Sequence, residues 1–235
     1  MLDLMKLELI KTNIRTYINS TFVIFIVLLG FIYLFAYMPR VNPNDPILEL
    51  FASYNNIISL FGALNMATYC ILASVMYSRF VIEEYTGKRV ILLFSYPRSR
   101  EKMFVSKITI VTLFTMISMV ACNILVYSIL GLSETFFPIV KDSITLEVIH
   151  KAIITTIIMT VLAAGLSIIS MAIGFIKKST PTTIVSAILL CSILTNISSG
   201  TLNSNTVAII FMVITILVAI YAAKIIMKKI NCMEV

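Results

Sequence analysis

An all-α polytopic membrane protein with six transmembrane helices is the fold class this sequence predicts, on three observations. Mean hydropathy is +1.03, and 60% of residues are hydrophobic against 12% charged. Six runs, each about twenty residues long, contain no Asp, Glu, Lys, Arg or His, and that length covers ~30 Å of hydrocarbon. Nowhere does the chain alternate apolar and polar residues as barrel strands do. A backbone facing lipid must satisfy its own hydrogen bonds, so helices are the remaining solution.

Residues 1–17 come first. Leu4, Leu7, Ile10, Ile14 and Ile18 recur at three- and four-residue steps, while Asp3, Lys6, Glu8, Lys11 and Arg15 fall mostly elsewhere. This pattern predicts an amphipathic helix at the membrane interface. It is not a signal peptide, because the apolar run behind it is too long for an h-region and no A-x-A site follows. The predicted spans are 18–38, 57–78, 108–131, 152–175, 180–197 and 206–223. The fourth carries Ala163, Ser167, Ser170 and Gly174 at helical spacing, small residues that favour close helix approach. The fifth is short, begins beside Pro181 and runs into the uncharged stretch "NISSGTLNSN", Asn196 to Asn205. No loop is long enough to fold by itself, so residues 1–235 form a single transmembrane domain.

The basic residues set the orientation. Fifteen of the 18 lie before the first span, between Arg79 and Lys107, at Lys177 and Lys178, or in the C-terminal stretch from Lys224. The opposite face holds only Arg40, Lys141 and Lys151, with the acids Asp45, Glu49, Glu134, Asp142 and Glu147. Both termini and the 79–107 loop are therefore expected in the cytoplasm of a bacterial-type plasma membrane. The net charge of +7 follows from this asymmetry and from anionic lipid nearby; it is not the mark of a nucleic-acid partner.

Most chemistries lack their residues. Cys70, Cys122 and Cys191 fall inside spans and Cys232 in the tail, without a C-x-x-C pair, so they read as small core residues. One histidine, His150, cannot make a His-rich metal site, and no metal ligand set or catalytic residue is expected. The six spans carry no ionisable group of the kind that ion-coupled carriers place in the bilayer. Paired Asp, H-E-x-x-H or Ser with His, as intramembrane proteolysis needs, is missing as well. "TGKRV" at Thr86 to Val90 is no phosphate-binding loop: Ile82 stands where the first glycine belongs, and Arg89 follows Lys88 where Ser or Thr belongs. Asn65, Asn123 and Asn196 lie within spans and suit interhelical hydrogen bonds. With Met66 and Met119 they are also the candidate lining of a pathway for a flexible apolar cargo.

The stretch from Arg79 to Lys107 is the distinctive part, holding seven basic residues around an apolar run. Glu83 and Glu84 come first as acceptors open to a partner, and Gly87 permits a turn. Val90 to Phe94, with Leu92 and Leu93 at its centre, has the apolar side of a short helix that Pro97 ends. Arg98, Arg100 and Lys102 then bring the chain back to lipid headgroups. This order of acid, glycine, apolar run, proline, "SR" and apolar pair resembles the cytoplasmic loop of ABC-2 type permeases, the membrane subunits of ATP-binding cassette exporters. The six-helix layout with both ends inside is similar too, although Lys88 stands where that family commonly has a small hydroxyl residue.

The resemblance implies that Glu83, Glu84, Gly87, Leu92, Leu93, Pro97, Arg98 and Arg100 couple the chain to a separate ABC ATPase subunit. ATP and Mg would bind in that partner, with no cofactor in this chain. A second copy or a sister permease would complete the pathway, and export of, or immunity to, antimicrobial peptides is a frequent role among small permeases of this type. An ion-coupled secondary transporter and a non-transport sensor or assembly factor are the alternative expectations.

Overall fold

The computed structural model describes residues 14–41, 51, 53–85, 100–137, 145–201 and 205–231; for residues 100, 196–201, 205, 206 and 231 it describes the backbone alone. Six helices hold nearly all of them: α1 Ile14–Val41, α2 Tyr54–Tyr77, α3 Arg100–Phe136, α4 Leu146–Lys177, α5 Thr180–Thr201 and α6 Asn205–Asn231. No strand occurs among the described residues. All but α5 are long and apolar enough to cross a membrane; in α5 the apolar stretch Thr180–Thr195 is shorter. The protein is thus helical and multi-pass, with each predicted span falling on one helix.

The helices run past the uncharged segments that predict them. α3 has 37 residues, about 55 Å at 1.5 Å per residue, well beyond ~30 Å of hydrocarbon. Its first two turns, Arg100 to Lys107, were expected in a loop; they are helical, with Glu101 in the first turn where the helix dipole favours an acid. α1 likewise takes in Ile14 to Tyr17, the end of the predicted amphipathic segment, while residues 1–13 lie outside the described residues.

α2 does not stop at Tyr77. It widens into a π-helical turn, Ser78–Ile82, in which Glu83 N–H donates to the carbonyl of Ser78 five residues back at 3.0 Å. The connection to α3 is correspondingly short, residues 83–99. α4 ends on Lys178, whose φ of 50° lies in the left-handed region. There the N–H groups of Lys178 and Ser179 donate to the carbonyls of Phe175 and Gly174, each at 3.2 Å, so the last turn is satisfied. Pro181 follows in the first turn of α5, where a missing N–H removes no helical bond.

α4 is the hub, packed against α2, α3, α5 and α6, and α2 is its main partner. In their most apolar windows, 67% of α2 and 56% of α4 are buried, against 17% of α1 and of α6. The outer helices therefore turn Phe22, Ile26, Leu217 and Tyr221 outward, a surface that a bilayer solvates. Small residues bring the inner helices together, as the pattern in the fourth span predicts. Ala163, Ser167 and Ser170 are buried. The Ser74 and Ser170 hydroxyls bond at 2.7 Å, and Ser186 Oγ donates to the Ser170 carbonyl at 3.4 Å, linking α2, α4 and α5. Gly174 is seated so closely that a Cβ there would stand 2.9 Å from Thr183 Cβ and 2.8 Å from Ile82 Cδ1.

Candidate functional site

The π-helical turn delivers Glu83 and Glu84 to the end of the bundle where Arg79, Lys102, Lys177 and Lys178 also lie. Such turns carry more residues per turn than an α-helix and occur often at functional positions. Here the turn brings the Glu84 carboxylate onto the ammonium of Lys107, with Nζ donating to Oε2 in an ion pair. The Lys107 side chain is 0% exposed and that of Glu84 12%.

A lysine charge stripped of water needs such a partner, because an unpaired buried charge costs several kcal/mol. The glutamates were expected to be acceptors open to another subunit. Glu84 is instead engaged within the chain. The pair fastens the end of α2 to the second turn of α3, about 10 Å along that helix from Arg100.

Aromatic packing extends this junction to α4. The ring of Tyr85 meets those of Phe104 and Phe175 edge-on, with centroids 6.2 and 5.8 Å away, and Phe104 and Phe175 lie 6.5 Å apart. Edge-to-face pairs at these distances add ~0.5–1.5 kcal/mol each to their burial. Next to them Ile82 and Thr183 close over Gly174, bringing in α5. Tyr77 OH donates to the carbonyl of Ile108 at 3.4 Å. Four helices thus converge directly beside the connection that the sequence marks as distinctive.

Of the other predicted coupling residues, Gly87, Leu92, Leu93, Pro97 and Arg98 lie outside the described residues. Arg100 opens α3, with only its backbone described. Lys107 and the π turn are the parts that sequence reasoning missed. The available signal was that Lys107 directly abuts the uncharged run of the third span, where a long side chain has no water to reach.

The predicted pathway residues separate into two groups. Asn65 Nδ2 donates to Asn123 Oδ1 at 2.6 Å, joining α2 to α3 in the interior. Asn123 also lines a cavity of about 530 Å³ between α1, α2, α3 and α4, in the half of the bundle away from the ion pair. Met66 and Met119, at 2% and 1% exposure, are packed into the core and are not among the residues lining it. Asn196 lies in α5, its side chain not described. The cavity wall is overwhelmingly apolar and carries no charged residue. Among the described residues, no group of three or more His, Cys, Asp or Glu could hold a metal ion.

The chain is similar to the uncharacterized protein YcbO of Bacillus subtilis (strain 168), with 24% identity over 208 residues covering 88% of this chain and 90% of that protein. No family model matches the chain, and no solved structure matches it.

Proposed function

We propose that this chain is the permease subunit of an ATP-driven exporter of the ABC-2 type. In this reading all six helices span the plasma membrane, both termini are cytoplasmic, and two such chains, or one with a sister permease, work with two separate ATPase subunits. Amphipathic cargo, membrane-active peptides first among it, would be exported or excluded. The chain supplies the pathway, and ATP and Mg bind in the partner.

The observation that carries the reading is the junction of Glu84, Lys107, Tyr85, Phe104 and Phe175. A motor outside the membrane needs a stiff point of attachment, and a connection whose α2 end is tied to α3 and α4 passes a push to those helices rather than absorbing it. Through the ion pair and the aromatic triangle, displacement of the 83–99 segment reaches α2, α3 and α4 together. That is the kind of discrete, packed element on which rigid-body switching rests.

The buried ion pair also gives a foothold to the second reading, a proton-coupled carrier, since ionisable groups inside a membrane protein often serve transport. One experiment separates the two. The tagged chain is purified from its native membranes and assayed for a co-purifying ATPase with a phosphate-binding loop, alongside a Pro97→Ala/Arg98→Ala variant. A hydrolysing partner, lost in the variant while the variant still inserts, is the expected result. Purification without such a partner, together with uptake driven by a proton gradient in vesicles of the chain alone, would establish the carrier instead.

A further inference from the structure

Cys70, Cys122 and Cys191 are buried free thiols inside helices. Two of them sit side by side, and the register of the inner helices puts them there. Ser74 of α2 bonds to Ser170 of α4, and Ser186 of α5 bonds to the same residue. α4 and α5 run antiparallel, since Ser186 stands against Ser170 and Thr183 against Gly174. α2 and α4 run parallel, since Gly62 stands against Thr155 and Met159 while Ser74, further along, stands against Ser170. One turn before Ser74 is Cys70, and one turn past Ser186 are Leu190 and Cys191. These positions are level with each other across the contact between α2 and α5. Cys70 and Cys191 are buried, at 0% and 3% exposure, and their thiols are in hydrogen-bond contact.

The surroundings suit a covalent bond between them. Ala73, Ser74, Ser186 and Ala187 flank the pair and are buried, and side chains this small let two helix backbones approach closely. A disulfide needs that approach, with Cα atoms about 4.4–6.8 Å apart. A metal fits less well. Zinc takes four donors, and the described residues hold no group of three or more His, Cys, Asp or Glu. A cuprous ion on two thiolates would leave a net negative charge in hydrocarbon, whereas a disulfide is neutral. Cys122, in α3, has the Tyr69 hydroxyl as its hydrogen-bond neighbour instead.

We infer that Cys70 and Cys191 are a redox-sensitive lock, which a small uncharged hydroperoxide closes into a disulfide tying α5 to α2. One sulfur, that of Cys191 in this account, attacks the peroxide. The O–O bond breaks, sulfur keeps one hydroxyl as a sulfenic acid, and the other oxygen leaves with the thiol proton as water or alcohol. The Cys70 sulfur then bonds to that of Cys191, the S–O bond breaks, and the hydroxyl leaves with the Cys70 proton as water. The two thiols together lose two electrons and two protons, and the peroxide is the species reduced. Because the thiols are already in contact, the second step is intramolecular. Reductants such as glutathione are charged and act from water, so the closed lock persists while the bundle is folded. The inference rests on the α2–α5 contact and holds whether or not a motor drives the chain.

The test uses the full chain in nanodiscs, with Cys232→Ser so that only the three buried thiols remain. It is treated with tert-butyl hydroperoxide, blocked with N-ethylmaleimide in denaturant, digested without reductant and mapped by mass spectrometry. The expected product is an intramolecular Cys70–Cys191 link with Cys122 alkylated. Glutathione should fail to open the link in the nanodisc and should open it after denaturation. The oxidised chain should unfold about 5–10 °C higher than the reduced one, and Cys70→Ala or Cys191→Ala should show neither link nor shift. The map of the chain with both cysteines needs neither variant, so it decides the matter even if both fail to fold. Both thiols recovered free at peroxide levels that oxidise an added dithiol peptide, a link through Cys122, a link between two chains, or a link that leaves the midpoint unmoved would each overturn the inference.

Discussion

Neutralising one member of the Glu84–Lys107 pair isolates the strongest single interaction at the basic end of the bundle. Glu84→Gln leaves the Lys107 ammonium, 0% exposed, without its counter-charge. Removing one partner of a buried pair costs ~3–5 kcal/mol, mostly because the remaining charge stays desolvated. Glu84 is 12% exposed, so water reaches the pair from one side, and the lower figure, about 3 kcal/mol, is the one to expect. For a chain of this size each kcal/mol moves the midpoint by ~2–4 °C, which gives a fall of about 6–12 °C. Lys107→Met should cost less, about 2 kcal/mol, because the abandoned carboxylate is the member that touches water. The double variant should recover to within about 1 kcal/mol of the parent, since a neutral pair of similar volume needs no solvation. The assay is thermal unfolding of the purified chain in one detergent, with all four corners of the cycle measured together. Wild-type midpoints for both single variants, or a double variant no better than the worse single one, would refute the account of Lys107 as a buried charge dependent on Glu84.

Two further outcomes are expected. Gly174→Ala drives a methyl group into Thr183 and Ile82 and should lower stability by ~1–3 kcal/mol, whereas Gly131→Ala, with open space around its Cβ, should leave the unfolding midpoint within about 2 °C; equal effects would show that the α4–α5 contact is not tight. For topology, single cysteines introduced at Asn42 to Asn55 and at Ser133 to Glu147 should react with an impermeant maleimide in intact cells, while cysteines replacing Thr86 or Lys178 react only after the membrane is opened. Reaction at position 86 from outside would reverse the orientation on which the permease reading depends.

The helices were legible in the sequence because bilayer length and the cost of charge in hydrocarbon act on composition, which needs no three-dimensional information. The close packing of α4 was legible for a related reason: Ala163, Ser167, Ser170 and Gly174 share one face at helical spacing, and all four are buried against neighbours. Asn65 and Asn123 were readable as interhelical hydrogen-bonding residues, and they bond to each other. That Lys107 was the basic residue to be buried was not readable. Seven cations lie between Arg79 and Lys107, and which of them meets Glu84 depends on the azimuth at which the chain leaves α2. That azimuth is set by a change of helical pitch over Ser78–Ile82, and the residues there differ in no obvious way from ordinary helix formers. The cavity was hidden for another reason. Its lining comes from four separate helices, and its isoleucines are of the same kind that face lipid elsewhere.

The same change of pitch gives the segment a built-in alternative. An α-helix turns by 100° per residue and a π-helix by roughly 80°, so tightening five residues from one form to the other would rotate everything beyond Ile82 by about a quarter of a circle. Rewinding of this kind breaks and remakes backbone bonds one by one and melts nothing. It would swing Glu84 away from Lys107 and present a different side of the following residues to whatever lies beyond the membrane. Were the end of α2 to tighten by that notch, the Glu84–Lys107 pair would have to part, so the salt bridge favours the looser form.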